Sequence, residues 1–361
     1  MRLLSTFLTA LLLALTATAG TTALSTVTLP DAAQPRLAPA GGDRAFLAYG
    51  QGADVFVIRS DDRGATFGAP VKVATVPGLM LGMRRGPRIV ARGDTVTVTL
   101  NQKDLLAFTS ADAGLTWTGP VTVNDVPTSA REGLHDLAVA PDGRVFITWL
   151  DLRLGKMALF AAESSDAGRT WTPNAPIYRS PEISICECCH PSAHFDAAGN
   201  LAVMFRNSLD GSRDLWLMTR AVGAKEFSTP RKQGEGTWKL KGCPMDGGAI
   251  LPGADGQFAS VWQRDGEIFF QAPAGPERSI ARGKQPIAAP LADGALLVWQ
   301  QGLDLWSATL PSSGGAPTAP ALHAASARFP VIVALPDHRG TVLAFEKILP
   351  DKSVTTVVER L

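Results

Sequence analysis

Three stretches share one spacing: Ser60-Asp61-Asp62-Arg63-Gly64-Ala65-Thr66-Phe67, Ser110-Ala111-Asp112-Ala113-Gly114-Leu115-Thr116-Trp117 and Ser164-Ser165-Asp166-Ala167-Gly168-Arg169-Thr170-Trp171. Each reads Ser-x-Asp-x-Gly-x-Thr followed by an aromatic residue, and they lie 50 and then 54 residues apart. Three matches at a nearly constant period mark a repeat architecture. The chemistry is that of a hairpin turn. The Asp carboxylate bonds backbone N–H groups, and Gly64, Gly114 and Gly168 supply a positive φ without steric cost. The Thr and the aromatic residue restart a strand, with the ring packed between sheets.

A second repeat extends over the rest of the chain. Phe46–Tyr49, Val96–Leu100, Val145–Trp149, Leu201–Phe205, Phe258–Trp262, Leu296–Trp299 and Val342–Phe345 are short strands that each end on a large apolar residue. A shorter segment precedes each of them. It contains Pro35, Pro87, Pro191, Pro244, Pro286 or Pro330, and in the third unit it is Leu134–Val139. Units of roughly 40–55 residues have the length of propeller blades. The expectation is an all-β propeller of four-stranded blades, seven favoured over six. The last unit stops after three strands, at Val354–Val358, so Leu24–Leu29 is expected to supply its outer strand and close the ring.

The three Ser-x-Asp segments resemble the Asp-box, or BNR repeat, of sialidases and related propellers. That resemblance implies that each box joins the third and fourth strands of a blade, on the rim opposite the active face. Asp62, Asp112 and Asp166 are then structural rather than catalytic. The chain also resembles exported bacterial sialidase-like proteins that carry a Cys-x-Cys-Cys and a Gly-Cys-Pro motif, a likeness that transfers fold and not reaction.

The N-terminus, Met1-Arg2 followed by the apolar run Leu3–Leu15 and Thr16-Ala17-Thr18-Ala19, has the form of a signal peptide cut after Ala19. The run is too short to be read as a membrane span. One domain over residues 20–361, periplasmic or extracellular, is expected. The net charge of +1 gives no electrostatic reason to expect nucleic acid or an anionic membrane as partner. A small molecule, a glycan or a metal ion remains as the expected ligand.

Propeller topology places the lead-in to each inner strand, and each turn from second to third strand, on one face. Arg85, Arg88, Arg206, Arg264 and Arg328 are the expected ligand-binding residues there. The sialidase resemblance implies an arginine trio for a substrate carboxylate, an acid/base Asp, and a late Tyr nucleophile paired with Glu. Arg88, within Arg85-Gly-Pro-Arg88-Ile89, is loosely similar to the family's Arg-Ile-Pro motif. The chain has only Tyr49 and Tyr178, so the late nucleophile is missing. A glycosidase working with two carboxylates would draw on Glu132, Asp136 and Asp246.

All four cysteines lie in two of these lead-in loops, Cys186-Glu187-Cys188-Cys189-His190 and Cys243-Pro244-Met245-Asp246. Two readings stay open. An even count in an oxidising compartment favours two disulfides, although any second pair within Cys186–Cys189 closes a very small ring. Alternatively Cys186, Cys188, Cys189, His190, Cys243 and Met245 form a soft-metal site for copper or zinc, with His194 on the same side as His190 if both lie in one strand. The expected function is a ligand-binding or soft-metal/redox propeller. An exo-acting, sialidase-type glycoside hydrolase on acidic sugars and a protein-interaction scaffold are the alternatives.

Overall fold

The computed structural model describes residues 23–182, 184–253, 256–335 and 340–361. Met1–Ala19, which the sequence reads as a signal peptide, lies outside the described residues. Within them the chain forms twenty-eight strands and no helix, arranged in seven antiparallel four-stranded sheets. The first blade is β2 (Ala33–Gly41), β3 (Arg44–Gln51), β4 (Asp54–Ser60) and β5 (Val71–Thr75). The second is β6 (Arg88–Arg92), β7 (Thr95–Asn101), β8 (Leu105–Ser110) and β9 (Thr118–Thr122), and the third β10 (His135–Val139), β11 (Val145–Asp151), β12 (Ala158–Ser164) and β13 (Ala175–Tyr178). The fourth is β14 (Ser192–Phe195), β15 (Leu201–Arg206), β16 (Leu215–Arg220) and β17 (Arg231–Lys232). The fifth is β18 (Gly248–Pro252), β19 (Phe258–Arg264), β20 (Glu267–Gln271) and β21 (Glu277–Arg282). The sixth is β22 (Lys284–Leu291), β23 (Gly294–Gln301), β24 (Asp304–Leu310) and β25 (Ala321–Ala324). The seventh joins β26 (Ala327–Ala334), β27 (Thr341–Ile348) and β28 (Val354–Arg360) to β1 (Ser25–Pro30). Seven blades, not six, and an N-terminal closing strand are therefore present.

The repeated large residue of each second strand explains how the blades pack. Tyr49, Leu100, Trp149, Phe205, Trp262, Trp299 and Phe345 are each at most 4 % exposed. The apolar core is divided into seven clusters, and every one of them spans two neighbouring blades. Trp299, for example, packs with Leu297 and Ala308 of its own blade and with Val261 and Ile268 of the fifth. Sheets that bury both faces against neighbours read as nearly continuous apolar strands, which is why β3, β7, β11 and β15 show little alternation.

The three Ser-x-Asp turns are superimposable in their bonding. In the second, the Ser110 hydroxyl donates to Asp112 Oδ1 at 2.7 Å and accepts the Gly114 N–H at 2.9 Å. Asp112 accepts the Thr116 N–H at 2.9 Å and the Thr116 hydroxyl at 2.6 Å. The same four bonds recur around Asp62 and Asp166. Gly64, Gly114 and Gly168 have φ of 78°, 82° and 90°, the left-handed backbone expected of them. Each turn joins the third to the fourth strand of its blade.

Truncating Ser110 to Ala leaves the buried Gly114 N–H without an acceptor. It is expected to cost about 1–3 kcal/mol, readable as a lower denaturation midpoint. Trp299→Ala opens a cavity between two blades and is expected to cost about 3–5 kcal/mol. The Asp112 carboxyl is held down to about 2, chiefly by the Thr116 hydroxyl and N–H and by Ser110. A carboxyl lowered by folding stabilises above its unfolded value of 3.8 and loses that contribution as pH falls towards 2. Acid titration of the Asp112→Asn variant should accordingly show a weaker dependence of stability on pH in that window than the parent does.

Candidate functional site

The innermost strands deliver charge to the channel through one register position. Arg36 pairs across to Ala48, Arg88 to Thr99 and Asp136 to Thr148. Ala48, Thr99 and Thr148 each stand one residue before the repeated large core residue, so the three charged residues occupy equivalent places in blades one, two and three. The Asp136 carboxylate sits 3.4 Å from Arg88 Nε and 3.9 Å from an Arg36 guanidinium nitrogen. Its other oxygen accepts the Ala193 N–H at 2.9 Å, which ties it to the fourth blade. The equivalent places in blades six and seven hold Ile287 and Val331, paired with Val298 and Ala344. Blades four and five hold Ser192 and Ala249 there, paired with Met204 and Val261, so at this register position charge is confined to blades one to three.

A further guanidinium crosses the ring. Arg84, ahead of the second blade, donates to the Gln285 carbonyl of the sixth at 3.2 Å. Its own carbonyl accepts from Arg88 at 2.6 Å. Burial and the neighbouring Arg36 pull the Arg84 guanidinium down to about 10, and burial lowers Arg88 as well. Asp246 accepts the Gln285 N–H at 2.7 Å on Oδ2, while burial pushes its carboxyl up. Arg84 Nε, Arg88 Nε, Asp246 Oδ1 and Gln285 Oε1 are buried with no hydrogen-bond partner within the protein.

Both channel histidines are held towards the neutral form. Burial, and after it Arg84, Arg36, Arg88 and Arg206, press His190 well below its ordinary value. A Cβ at Gly247 would fall 2.5 Å from the His190 ring, so glycine is required for that close approach. His190 precedes β14 and only His194 lies within it, so the two rings do not share a strand face. His194 is exposed to solvent and stands opposite Ala202 of β15.

The other expected ligand residues divide. Arg206 is buried, with Nε donating to the Asp246 carbonyl at 3.2 Å and another nitrogen to the Gln263 carbonyl at 3.0 Å. Arg85 Nε donates to the Glu132 carbonyl at 2.6 Å. Arg264 turns outward, bonding Glu277 of β21 at 2.6 Å and stacking 4.0 Å over Phe269. Arg328 donates to Glu346 at 2.8 Å, and the same carboxylate accepts the Gln34 N–H at 2.8 Å. Local carboxylate partners explain why these last two leave the common centre. Arg36 was not among the expected residues, although Pro35-Arg36 and Pro87-Arg88 repeat one dipeptide at the start of adjacent blades.

The thiols form a graded cluster beside this centre. Cys186 Sγ lies 3.4 Å from Cys189 Sγ and 3.7 Å from Cys188 Sγ, and all three sulfurs lie within 4.8 Å of one another. Cys186 and Cys189 are buried, Cys188 is half-buried and Cys243 is exposed. Hydrogen bonding with Cys188, and after it burial, push the Cys243 thiol up to about 11. Hydrogen bonds from Cys188 and then Cys189 hold the Cys186 thiol well below the ordinary range, with Arg206 adding to the effect. Burial pushes Cys189 up. Cys189 Sγ in turn accepts the Asp246 N–H at 3.4 Å. Met245 has a left-handed backbone, φ 52°, just ahead of Asp246.

No protein-family model and no curated protein matches this chain. Solved structures do. An α-L-arabinanase of Penicillium chrysogenum is similar at 13 % identity and a TM-score of 0.51, over 94 % of this chain and 98 % of that one. An α-L-arabinofuranosidase of Fusarium graminearum is similar at 12 % identity and 0.52, with the same coverage. A protein called YCF48 is similar at 11 % identity and 0.54, over 93 % of this chain and 94 % of that one. Sialidases are also among the matched structures. At such identities the likeness is one of fold, the β-propeller.

Proposed function

We propose that this chain is an exported propeller that binds a soft d10 metal ion, copper(I) foremost, through Cys186, Cys188 and Cys189. The observation that carries the reading is the convergence of three thiols within 4.8 Å of one another in the loop that leads into β14. A metal–sulfur distance of about 2.3 Å places three ligating sulfurs about 4 Å apart, so separations of 3.4 and 3.7 Å need open by only a few tenths. Thiolates select copper(I) and zinc among common ions. Zinc ordinarily takes four protein ligands in a structural site, and the close group offers three. Arg206 beside the cluster offsets the negative charge that thiolate ligation would accumulate.

A second observation favours a ligand in the channel itself. Arg84 Nε and Arg88 Nε are buried without a hydrogen bond, Arg88 Nε having only the Asp136 carboxylate at 3.4 Å, and Arg36 adds a third cation close by. A small carboxylate, such as that of an acidic sugar, has the charge and the acceptors to serve them. Whether such a ligand is also hydrolysed is the glycoside-hydrolase reading, for which Asp136, Glu132 and Asp246 are the carboxyl groups at hand.

Fully reduced protein is expected to take up one copper(I) per chain in competition with a chromophoric chelator. Cys186→Ser and Cys189→Ser should each weaken that affinity by about 100-fold or more, beyond the loss typical of supporting residues. A reduced protein that leaves all copper with the chelator would remove the metal reading. Separately, calorimetric titration with sialic and glucuronic acids should give binding that Arg88→Ala abolishes, and a fluorogenic glycoside panel would register any turnover. A stable captured protein partner with neither metal nor sugar binding would favour the scaffold reading instead.

A further inference from the structure

The four sulfurs are arranged from the surface inward. Cys243 is exposed, Cys188 half-buried, and Cys186 and Cys189 are 1 % and 2 % exposed. Cys188 lies 3.7 Å from Cys186 and Cys186 lies 3.4 Å from Cys189, while the loop that carries Cys243 reaches the cluster through the Asp246 N–H, which donates to Cys189 Sγ at 3.4 Å. An external disulfide therefore has access to the outer two sulfurs and none to the inner two. Yet the inner two are the closer pair, and their Cys-x-x-Cys spacing closes a larger ring than Cys186–Cys188 or the adjacent Cys188–Cys189 would.

We propose that Cys188 is the gateway of a thiol–disulfide relay that oxidises the buried Cys186–Cys189 pair, then pairs with Cys243, and so closes the metal site. The oxidant belongs to the class of disulfides, small or protein-borne. The Cys188 thiolate attacks one sulfur of the external disulfide; a mixed disulfide forms, and the other external sulfur leaves as a thiol after taking up the proton. Cys186 then attacks the Cys188 sulfur, forming Cys186–Cys188 and releasing the second external thiol. Cys189 attacks Cys186, forming Cys186–Cys189 and returning Cys188 as a thiol. A second external disulfide reacts at Cys188, and Cys243 resolves it as Cys188–Cys243. Across the cycle four protein thiols become two disulfides and two external disulfides become four thiols. Atoms and electrons balance, and every exchange is an ordinary thiolate displacement. No protein thiolate then remains to hold a soft ion. That last consequence rests on the copper(I) reading; the relay itself does not.

The test uses the reduced full chain, glutathione disulfide as oxidant, thiol alkylation and peptide mass mapping. The expected end state is Cys186–Cys189 with Cys188–Cys243, reached with release of bound copper(I). Cys188→Ser should slow oxidation of Cys186 and Cys189 by about tenfold or more, because their buried sulfurs lose their route to the surface. Cys243→Ser should still form Cys186–Cys189, leave Cys188 free and bind copper(I) when reduced. A mapped link from Cys243 to Cys186 or Cys189, accumulation of Cys186–Cys188 in Cys243→Ser, or undiminished inner oxidation in Cys188→Ser would each overturn the relay. Reduced protein that binds no copper(I) but gives the expected map would overturn the metal reading and leave the relay standing. Copper(I) retained by the fully oxidised protein would overturn the closure.

Discussion

Closure of the ring by Ser25–Pro30 is the constraint on which the rest depends. This strand pairs with Val354–Arg360 from Ser25↔Arg360 to Pro30↔Thr355, and the Thr356 hydroxyl donates to the Ala32 carbonyl just beyond it. An open ring would leave two unpaired sheet edges. It would also leave one of the seven inter-blade clusters, that between the seventh and first blades, half exposed. No blade owns a core of its own, because each cluster belongs to two blades. The channel is a product of closure as well. Arg84 of the second blade meets Gln285 of the sixth only because the circle is complete.

The fold was legible in the sequence because packing repeats where chemistry need not. Each second strand must fill the same gap between blades, so a large apolar residue recurs there from Tyr49 to Phe345. The Ser-x-Asp turns were legible for a similar reason. Their bonds are local, spanning at most four residues within each turn, so spacing alone determines them. The orphan strand at the N-terminus and the three-stranded last unit completed one another by count.

The site was legible only in part, because side-chain direction depends on partners distant in sequence. Arg264 and Arg328 stand at the expected end of their strands, but Glu277 and Glu346 draw them away. Arg36 carries little signal in the sequence because its blade lacks the run of charged neighbours that surrounds Arg88, although both follow a lead-in proline. The nearest approach among the thiols was equally hidden. Sequence adjacency favours Cys188 and Cys189 as neighbours, whereas the turn brings Cys186 within 3.4 Å of Cys189. Gly247 gave no signal at all, and its role follows only from the His190 ring pressed against its Cα.

Asp246 joins the two chemistries of this face. Its N–H donates to Cys189 Sγ at 3.4 Å, its carbonyl accepts from Arg206 at 3.2 Å, and its carboxylate accepts the Gln285 N–H at 2.7 Å. Arg206 also lies close enough to Cys186 to favour its thiolate. A change of charge on the sulfurs is therefore felt by the residue that orders the channel mouth, since an N–H bond to an anionic acceptor is stronger than one to a neutral acceptor. The same low-polarity surroundings that push the Asp246 carboxyl up keep that interaction little screened. Thiol cluster and arginine centre are physically contiguous. Any ligand that neutralises Arg84 and Arg88 must alter the field at His190, which those two cations help to hold neutral, and His190 is the residue next to Cys189. The coupling runs through bonds and charges already in place and needs no rearrangement of the blades.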